Sequence, residues 1–398
     1  MKNNYILLAR KLMAVAITGL MLVSCANPKI PETFDTLGSL PDIYPDYTNV
    51  TVPVNIAPLT FMMDAGADEM VASFECGGIT MLAGGAFVQP DEDEWRNMME
   101  KSAGKDIKVE VYSKTNGKWT KYKPFNITVS KDSIDPYISY RLISPSYVSY
   151  EELSINQRCL EDYNESVIYD NILCSTDKEG QCVNCHNYQA YNPARMQFHA
   201  RQNHGGTVIA YDGDIRKINM KNDSIISPGV YPAWHPWLKM IVYSTNKTGQ
   251  VFHTRNINKI EVFDGASDLI AYDIDKNAVT SIENDPNEFE VFPAWAPDGK
   301  TLYFSSAHFE FPDTISHELQ VIRRAKEVKY NIYKKSFDPN TMTFGPRQMV
   351  FDADSLDMSA TLPRVSPDGR YLMFTLGKYG CFHIWHHEAD LCTQGKMF

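Results

Sequence analysis

The sequence has no block of basic residues: 38 Lys and Arg are scattered among 49 Asp and Glu, giving a net charge of −11. Nucleic acid and anionic lipid headgroups are therefore excluded as expected partners, because binding them needs clustered positive charge. After the N-terminus there is no second long apolar run, and a spanning helix would need roughly 20 such residues. No nucleotide loop, nucleophile elbow or zinc-protease motif is present, and glycines stand singly or in pairs, as turn residues do. What is plentiful is aromatic, 22 Tyr and 19 Phe. Runs of strand-forming residues between turns point to a mostly β chain. The length of 398 residues suits two or three domains.

The N-terminus reads as a secretory leader. Lys2, Arg10 and Lys11 supply positive charge, and residues 12–23 form an apolar run too short to cross a bilayer. The run ends in Leu22-Val23-Ser24-Cys25, which resembles the lipobox of bacterial lipoproteins. That resemblance implies removal of residues 1–24 and acylation of Cys25, and several acyl chains anchor stably. The alternative is a plain signal peptide with an incidental cysteine. Ala26 and Asn27 follow with no acidic run, which by the same resemblance implies the periplasmic face of the outer membrane.

Residues 25–48 contain Pro28, Pro31, Pro41 and Pro45 and read as a tether. Residues 49–130 read as a small β-sandwich. Within them the alternating runs of 108–129 flank Asn116-Gly117, a pair suited to tight hairpins because both residues tolerate positive φ. A short helix over 91–101 opens on acidic residues that suit the helix dipole. Residues 131–206 lose regular periodicity and crowd together tyrosines, polar residues and cysteines. An irregular segment wrapped around a cofactor is the expectation there.

From residue 207 to 398 a repeat dominates: YPAWHPWLKMIVYSTN (231–246), FPAWAPDGKTLYFSSA (292–307) and LPRVSPDGRYLMFTLG (362–377). Asp298-Gly299 and Asp368-Gly369 predict hairpin turns, whereas the first copy has Trp237-Leu238 in that place. The copies resemble the WD40-like repeats of the TolB β-propeller family, and the resemblance implies a C-terminal propeller. Their spacing exceeds the roughly 40–45 residues of compact blades, so insertions are expected, with 283–290 and 308–328 as the candidates. Three copies and a fragment fall short of the usual 4–8 blades. Either the N-terminal β region supplies the missing strands or the propeller is truncated, and truncation is the favoured expectation.

The chemistry centres on Cys182-Val183-Asn184-Cys185-His186, the C-x-x-C-H pattern of covalent c-type haem attachment. Two thiols three positions apart reach the two vinyl groups of one porphyrin, and His186 then lies beneath the iron. For the sixth iron position Met196, His199 and His204 follow, with the histidines preferred because both precede Gly205-Gly206, where the chain can turn sharply. Two readings compete. Cys182, Cys185, His199 and His204 have the spacing C-x2-C-x13-H-x4-H, close to that of a zinc finger, though His186 has no task in such a site. A Cys182–Cys185 disulfide, or a pair of free thiols, is the other.

Of the remaining cysteines, Cys76, Cys159, Cys174, Cys381 and Cys392, five cannot all pair, and Cys159–Cys174 is the plausible bridge. On a strand, His383 and His387 share a face while His386 points away, so this cluster reads as packing. Trp234 and Trp295 read likewise as core between blades.

The order of lipobox, β region, C-x-x-C-H with FHARQNHGGT (198–207), and TolB-like repeats resembles lipoproteins related to the hydrazine synthase alpha subunit. The resemblance carries over only Cys182, Cys185 and His186, and not the reaction. Three functions are thus open. The first is one-electron transfer through a single haem to a redox partner docked on the propeller. The second is a membrane-anchored scaffold for protein partners, with a structural haem or a zinc site. The third is a haem enzyme with an open distal position.

Overall fold

The computed structural model describes residues 28–142, 153–171, 181–202, 204–252, 260–378 and 396–397. The leader, Cys25, Cys174, Cys381, Cys392 and the cluster His383, His386 and His387 lie outside the described residues. The chain is mostly β, and it divides into two compact units: 28–140 with Asn156–Ile168, and the described parts of Arg141–Ile155 with 169–398. Among the described residues no helix is long and apolar enough to cross a membrane.

The N-terminal unit is built on β1 (Asp35–Thr36), β2 (Ile43–Tyr44), β3 (Thr51–Val52), β4 (Met62–Met63), β5 (Glu69–Cys76), β6 (Ile79–Gly85), β7 (Asp106–Thr115), β8 (Lys118–Lys121) and β9 (Phe125–Val129). Seven of these strands join one sheet, with β2 and β4 paired separately. The strands expected to make two faces of a sandwich are thus hydrogen-bonded into a single sheet, because β7 is long enough to pair with β5 on one side and with both β8 and β9 on the other. Its hairpin to β8 turns at Asn116 and Gly117, with φ of 53° and 78°, as their tolerance of positive φ requires.

Helix α1 (Glu92–Ser102) begins where Asp91 accepts from the backbone N–H groups of Asp93 and Glu94 at 3.0 and 3.1 Å. Such a cap satisfies donors that the first turn leaves without partners. Trp95, Met98 and Met99 are its buried face, packed with Phe74, Ile107 and Ile127 in the unit's core. β10 (Tyr137–Leu142), β11 (Ser154–Cys159) and β12 (Glu165–Asp170) form a three-stranded sheet.

The C-terminal unit is a succession of antiparallel meanders. The first is β13 (Gln181–Tyr188), β14 (Arg195–Gln202), β15 (Gly206–Tyr211) and β16 (Asp214–Ile218). The second is β17 (Val230–Trp234), β18 (Met240–Phe252), β19 (Ile260–Asp273) and β20 (Ala278–Glu283). The third is β21 (Glu288–Trp295), β22 (Thr301–His308), β23 (Asn331–Asp338) and β24 (Thr343–Phe351). The fourth comprises β25 (Ser359–Val365), β26 (Leu372–Gly377) and β27 (Lys396–Met397).

Each meander packs on the next through alternate residues of its strands. Ile209 of the first meets Ile241, Tyr243 and Ile270 of the second. Met240 and Val242 of the second meet Leu302 and Phe337 of the third. Ile332 of the third meets Ala360, Phe374 and Leu376 of the fourth. Trp234 lies in the first of these cores and Trp295 against the second, as packing residues.

The extra length between repeats is only partly where the sequence suggested. Residues 308–328 do hold an insertion, including helix α2 (His317–Arg323). Residues 283–290, however, run from the end of β20 through a short turn into the start of β21. The long hairpin of β18 and β19, strands of 13 and 14 residues, takes up the spacing instead.

Candidate functional site

The pattern C-x-x-C-H lies on a regular strand, β13, and the irregular segment expected up to residue 206 is, from residue 181 onward, the first meander. In a straight strand, residues three apart face opposite sides of the sheet. Positions 182 and 185 would then diverge. β13 avoids this with a bulge: its register with β14 shifts between Asn184 and Asn187, and Cys185 takes a left-handed φ of 58°. No disulfide joins Cys182 and Cys185, and burial, with a smaller contribution from the nearby Cys182, pushes the Cys185 thiol up.

The bulge takes the Cys185 carbonyl off the ladder, and the buried Gln197 side-chain amide donates to it. Gln197 is itself met by the Tyr243 hydroxyl of the second meander at 3.4 Å. Gln197 was not singled out in the sequence, where it reads as one more polar residue.

Directly across from Asn184 stands His199, buried at 4% exposure. Its Nδ1 lies 3.2 Å from the Thr207 hydroxyl, and burial, helped by Arg201, holds its pKa at about 4. It is therefore neutral at physiological pH, the form that ligates metals. The register puts Cys182, Asn184, His199 and Arg201 on one face of the sheet, and Met196 with Tyr188 on the other. His204 sits in the turn between β14 and β15, beyond the Cys182 end of the pairing. The structure thus puts Cys182, Cys185 and His186 on β13 and His199 on the adjoining β14, with Met196 on the opposite face and His204 in the turn.

The same bulge recurs once in every meander. Register shifts fall between Val230 and Ala233, between Val291 and Ala294, and between Thr361 and Arg364. Each contains a left-handed residue that is not glycine: Tyr231 at φ 49°, Phe292 at 55° and Leu362 at 54°. Cys185 is therefore structurally equivalent to Tyr231, Phe292 and Leu362, and His186 to the prolines that follow them. His199, paired with the residue before the bulge, is equivalent to Ser244, Ser305 and Thr375. The first meander is a repeat that departs from its siblings where Cys, His and His replace apolar residue, proline and small hydroxyl. The signal was present in the sequence: NCHNYQ (184–189) aligns under VYPAWH (230–235), with Tyr188 at the tryptophan position.

The donor set, two thiols on one strand with His186 beside them and a neutral imidazole on the neighbouring strand, is of the chemical type that covalent haem attachment uses. Among the described residues no group of three or more His, Cys, Asp and Glu side chains is placed to hold a metal ion. Of the expected Cys159–Cys174 bridge, only Cys159 is described; it is buried.

No protein-family model matches the chain, and no curated protein matches it. Among solved structures it is similar to a luciferin-regenerating enzyme over 57% of this chain and 62% of that one, at 14% identity and a TM-score of 0.34. It is similar to the tricorn protease over 69% of this chain and 32% of that one, at 10% identity and a TM-score of 0.32. A puromycin-hydrolyzing peptidase of Mycobacterium tuberculosis matches over 86% of this chain and 47% of that one, at 13% identity and a TM-score of 0.33. The chain spans less than two thirds of each of these proteins, and likeness at this level carries no argument about activity.

Proposed function

We propose that the chain is an exported, lipid-anchored protein of the c-type cytochrome kind, moving one electron at a time. In this reading Cys25 carries the anchor, and the four meanders are blades of a TolB-like β-propeller. One haem is bonded through Cys182 and Cys185, with His186 as iron ligand. The observation that carries the reading is the set of departures in the first repeat. Three positions shared by all four meanders change there to Cys185, His186 and His199, and the three together serve haem attachment and ligation better than packing.

When bound, the haem supplies a one-electron couple between ferric and ferrous iron. The chain's own residues hold and orient it. The bulge at Cys185 breaks the alternation that would send the two thiols to opposite faces, and Gln197 fixes the bulge. Thr207 sets the ring of His199, which is preferred as the second iron ligand over His204, in the turn, and Met196, on the opposite face. A nitrogen ligand in place of a thioether would lower the potential.

The test is a haemochrome spectrum with intact mass, on protein exported by a host with c-type maturation. One haem per chain is expected, lost in Cys182→Ala/Cys185→Ala. Low-spin bands that become high-spin in His199→Ala, but not in His204→Ala, would identify the second ligand. An unmodified mass would sink the reading and leave the scaffold function to be examined through protein partners.

A further inference from the structure

The equivalence of the four bulges creates a row of left-handed residues, one from each meander, and the first three members of the row touch in turn. The backbone N–H of Tyr231 points at the sulfur of Cys185. The ring of Tyr231 meets that of Phe292 edge-on, with centroids 4.8 Å apart and planes at 74°. Phe292 is buried at 4% exposure, whereas Tyr231 keeps 38%. The tyrosine is thus braced by Phe292, tied through its own backbone to the cysteine sulfur, and open over much of the rest of its surface. A bulky residue at positive φ is a local strain that only the surrounding structure can maintain.

Any group bonded to Cys185 Sγ starts one bond away from an atom already in contact with Tyr231. A porphyrin is a flat, apolar, aromatic body, and the exposed ring of the residue whose N–H meets its point of attachment is surface within reach for it to cover. We propose that Tyr231 is the aromatic side chain against which the group carried by Cys185 lies, a positioning residue that fixes the tilt of the porphyrin. The inference rests on the cytochrome reading and goes beyond it, since Tyr231 is in a different repeat from the attachment motif. Arg201 and Arg141 also lie near the Cys185 sulfur, so the polar surroundings of the site are cationic while its aromatic wall is Tyr231.

The experiment compares wild type, Tyr231→Phe and Tyr231→Leu, all exported with c-type maturation. Haem per chain is measured first and circular dichroism in the Soret region second. That signal arises largely from coupling between the porphyrin and nearby aromatic rings, and a role in backbone structure alone would leave it unmoved. Wild type and Tyr231→Phe are expected to share one Soret spectrum. Tyr231→Leu should lose most of its intensity, or take up less haem than the Phe variant. One haem per chain with the same Soret spectrum in all three proteins would overturn the inference and leave the cytochrome reading standing. No haem in wild type would overturn both.

A second measurement needs no substitution at Tyr231. Nitration of Tyr231 by tetranitromethane, read by peptide mass, should be slow in the haem-bearing wild type and fast in Cys182→Ala/Cys185→Ala. Equal rates would overturn the inference.

Discussion

His235 shows how one side chain can replace a turn motif. In the third and fourth meanders Asp298 and Asp368 close the turn by accepting from the backbone N–H groups of Lys300 and Arg370 at 2.9 and 3.0 Å. The second meander has no aspartate there, Trp237 and Leu238 standing in its place. Instead His235 Nδ1 accepts from the N–H groups of Trp237 and Leu238 at 3.3 and 3.1 Å, while Nε2–H donates to the Gly299 carbonyl at 2.9 Å. Only the neutral ring can do both, because the charged ring has no acceptor. Burial depresses the pKa of His235 below its ordinary 6.5. The unfolded chain then binds the extra proton first, so this contribution is complete above about pH 6.5 and is lost as pH falls through the folded pKa. The effect is at most about 1.4 kcal/mol per pH unit. His235→Ala should cost on the order of 2–4 kcal/mol at pH 7.5, through the lost hydrogen bonds and the cavity left behind. Its stability in urea should also fall less than that of wild type between pH 7.5 and 5.5. An unchanged pH slope in the variant would place the titration elsewhere.

At the scale of elements, equivalent glycines in equivalent turns should respond differently. Gly299 and Gly369 both sit at positive φ, 58° and 71°, and each pays for a side chain with backbone strain of about 1 kcal/mol. A Cβ on Gly369 would meet nothing within 4 Å, whereas one on Gly299 would come within 2.5 Å of Trp237 and 2.7 Å of His235. Gly369→Ala should therefore cost about 1 kcal/mol, and Gly299→Ala about 1–3 kcal/mol more, from forced displacement of a packed aromatic pair. Thermal or urea unfolding of the two variants decides it, and equal costs would mean that Trp237 yields freely.

The same turns show what could be read in advance. Asp-Gly at two of them, with Pro and alternation around them, made three repeats legible, as Asp91 did for α1 and Asn116-Gly117 for the first hairpin. The first meander was hidden because its turn runs through Ala190, Tyr191 and Asn192 instead of Asp-Gly. A positive φ at Cys185 also breaks the alternation on which strand recognition depends. The haem motif was legible as chemistry, but its place on a repeat was not, since that equivalence exists only in the register. Gln197 and Tyr231 were invisible for a similar reason: each acts on Cys185 from another strand, and no local pattern records such a contact.

For the molecule as a whole, the order of packing matters more than any one meander. Each meander of the C-terminal unit buries its face against its successor, so stability should propagate between neighbours as in other repeat architectures. Ile241, fully buried on β18, sits in the core shared by the first and second meanders beside Ile209 and Tyr243. Ile241→Ala should cost about 2–5 kcal/mol. It should also loosen the first meander, since Tyr243, which braces Gln197 beneath the Cys185 bulge, loses a packing partner. Amide hydrogen exchange is then expected to quicken in β14 and β15, strands that the substitution does not touch, and to change least in β25 and β26, two interfaces away. Uniform acceleration through all four meanders would mean that the unit opens as one body, and the first meander would have no separate stability to lose. Acceleration confined to β17–β19 would mean that the attachment site is held by its own sheet. In that case support for Cys185 from the second meander would reduce to the contact that Tyr231 makes at the cysteine sulfur.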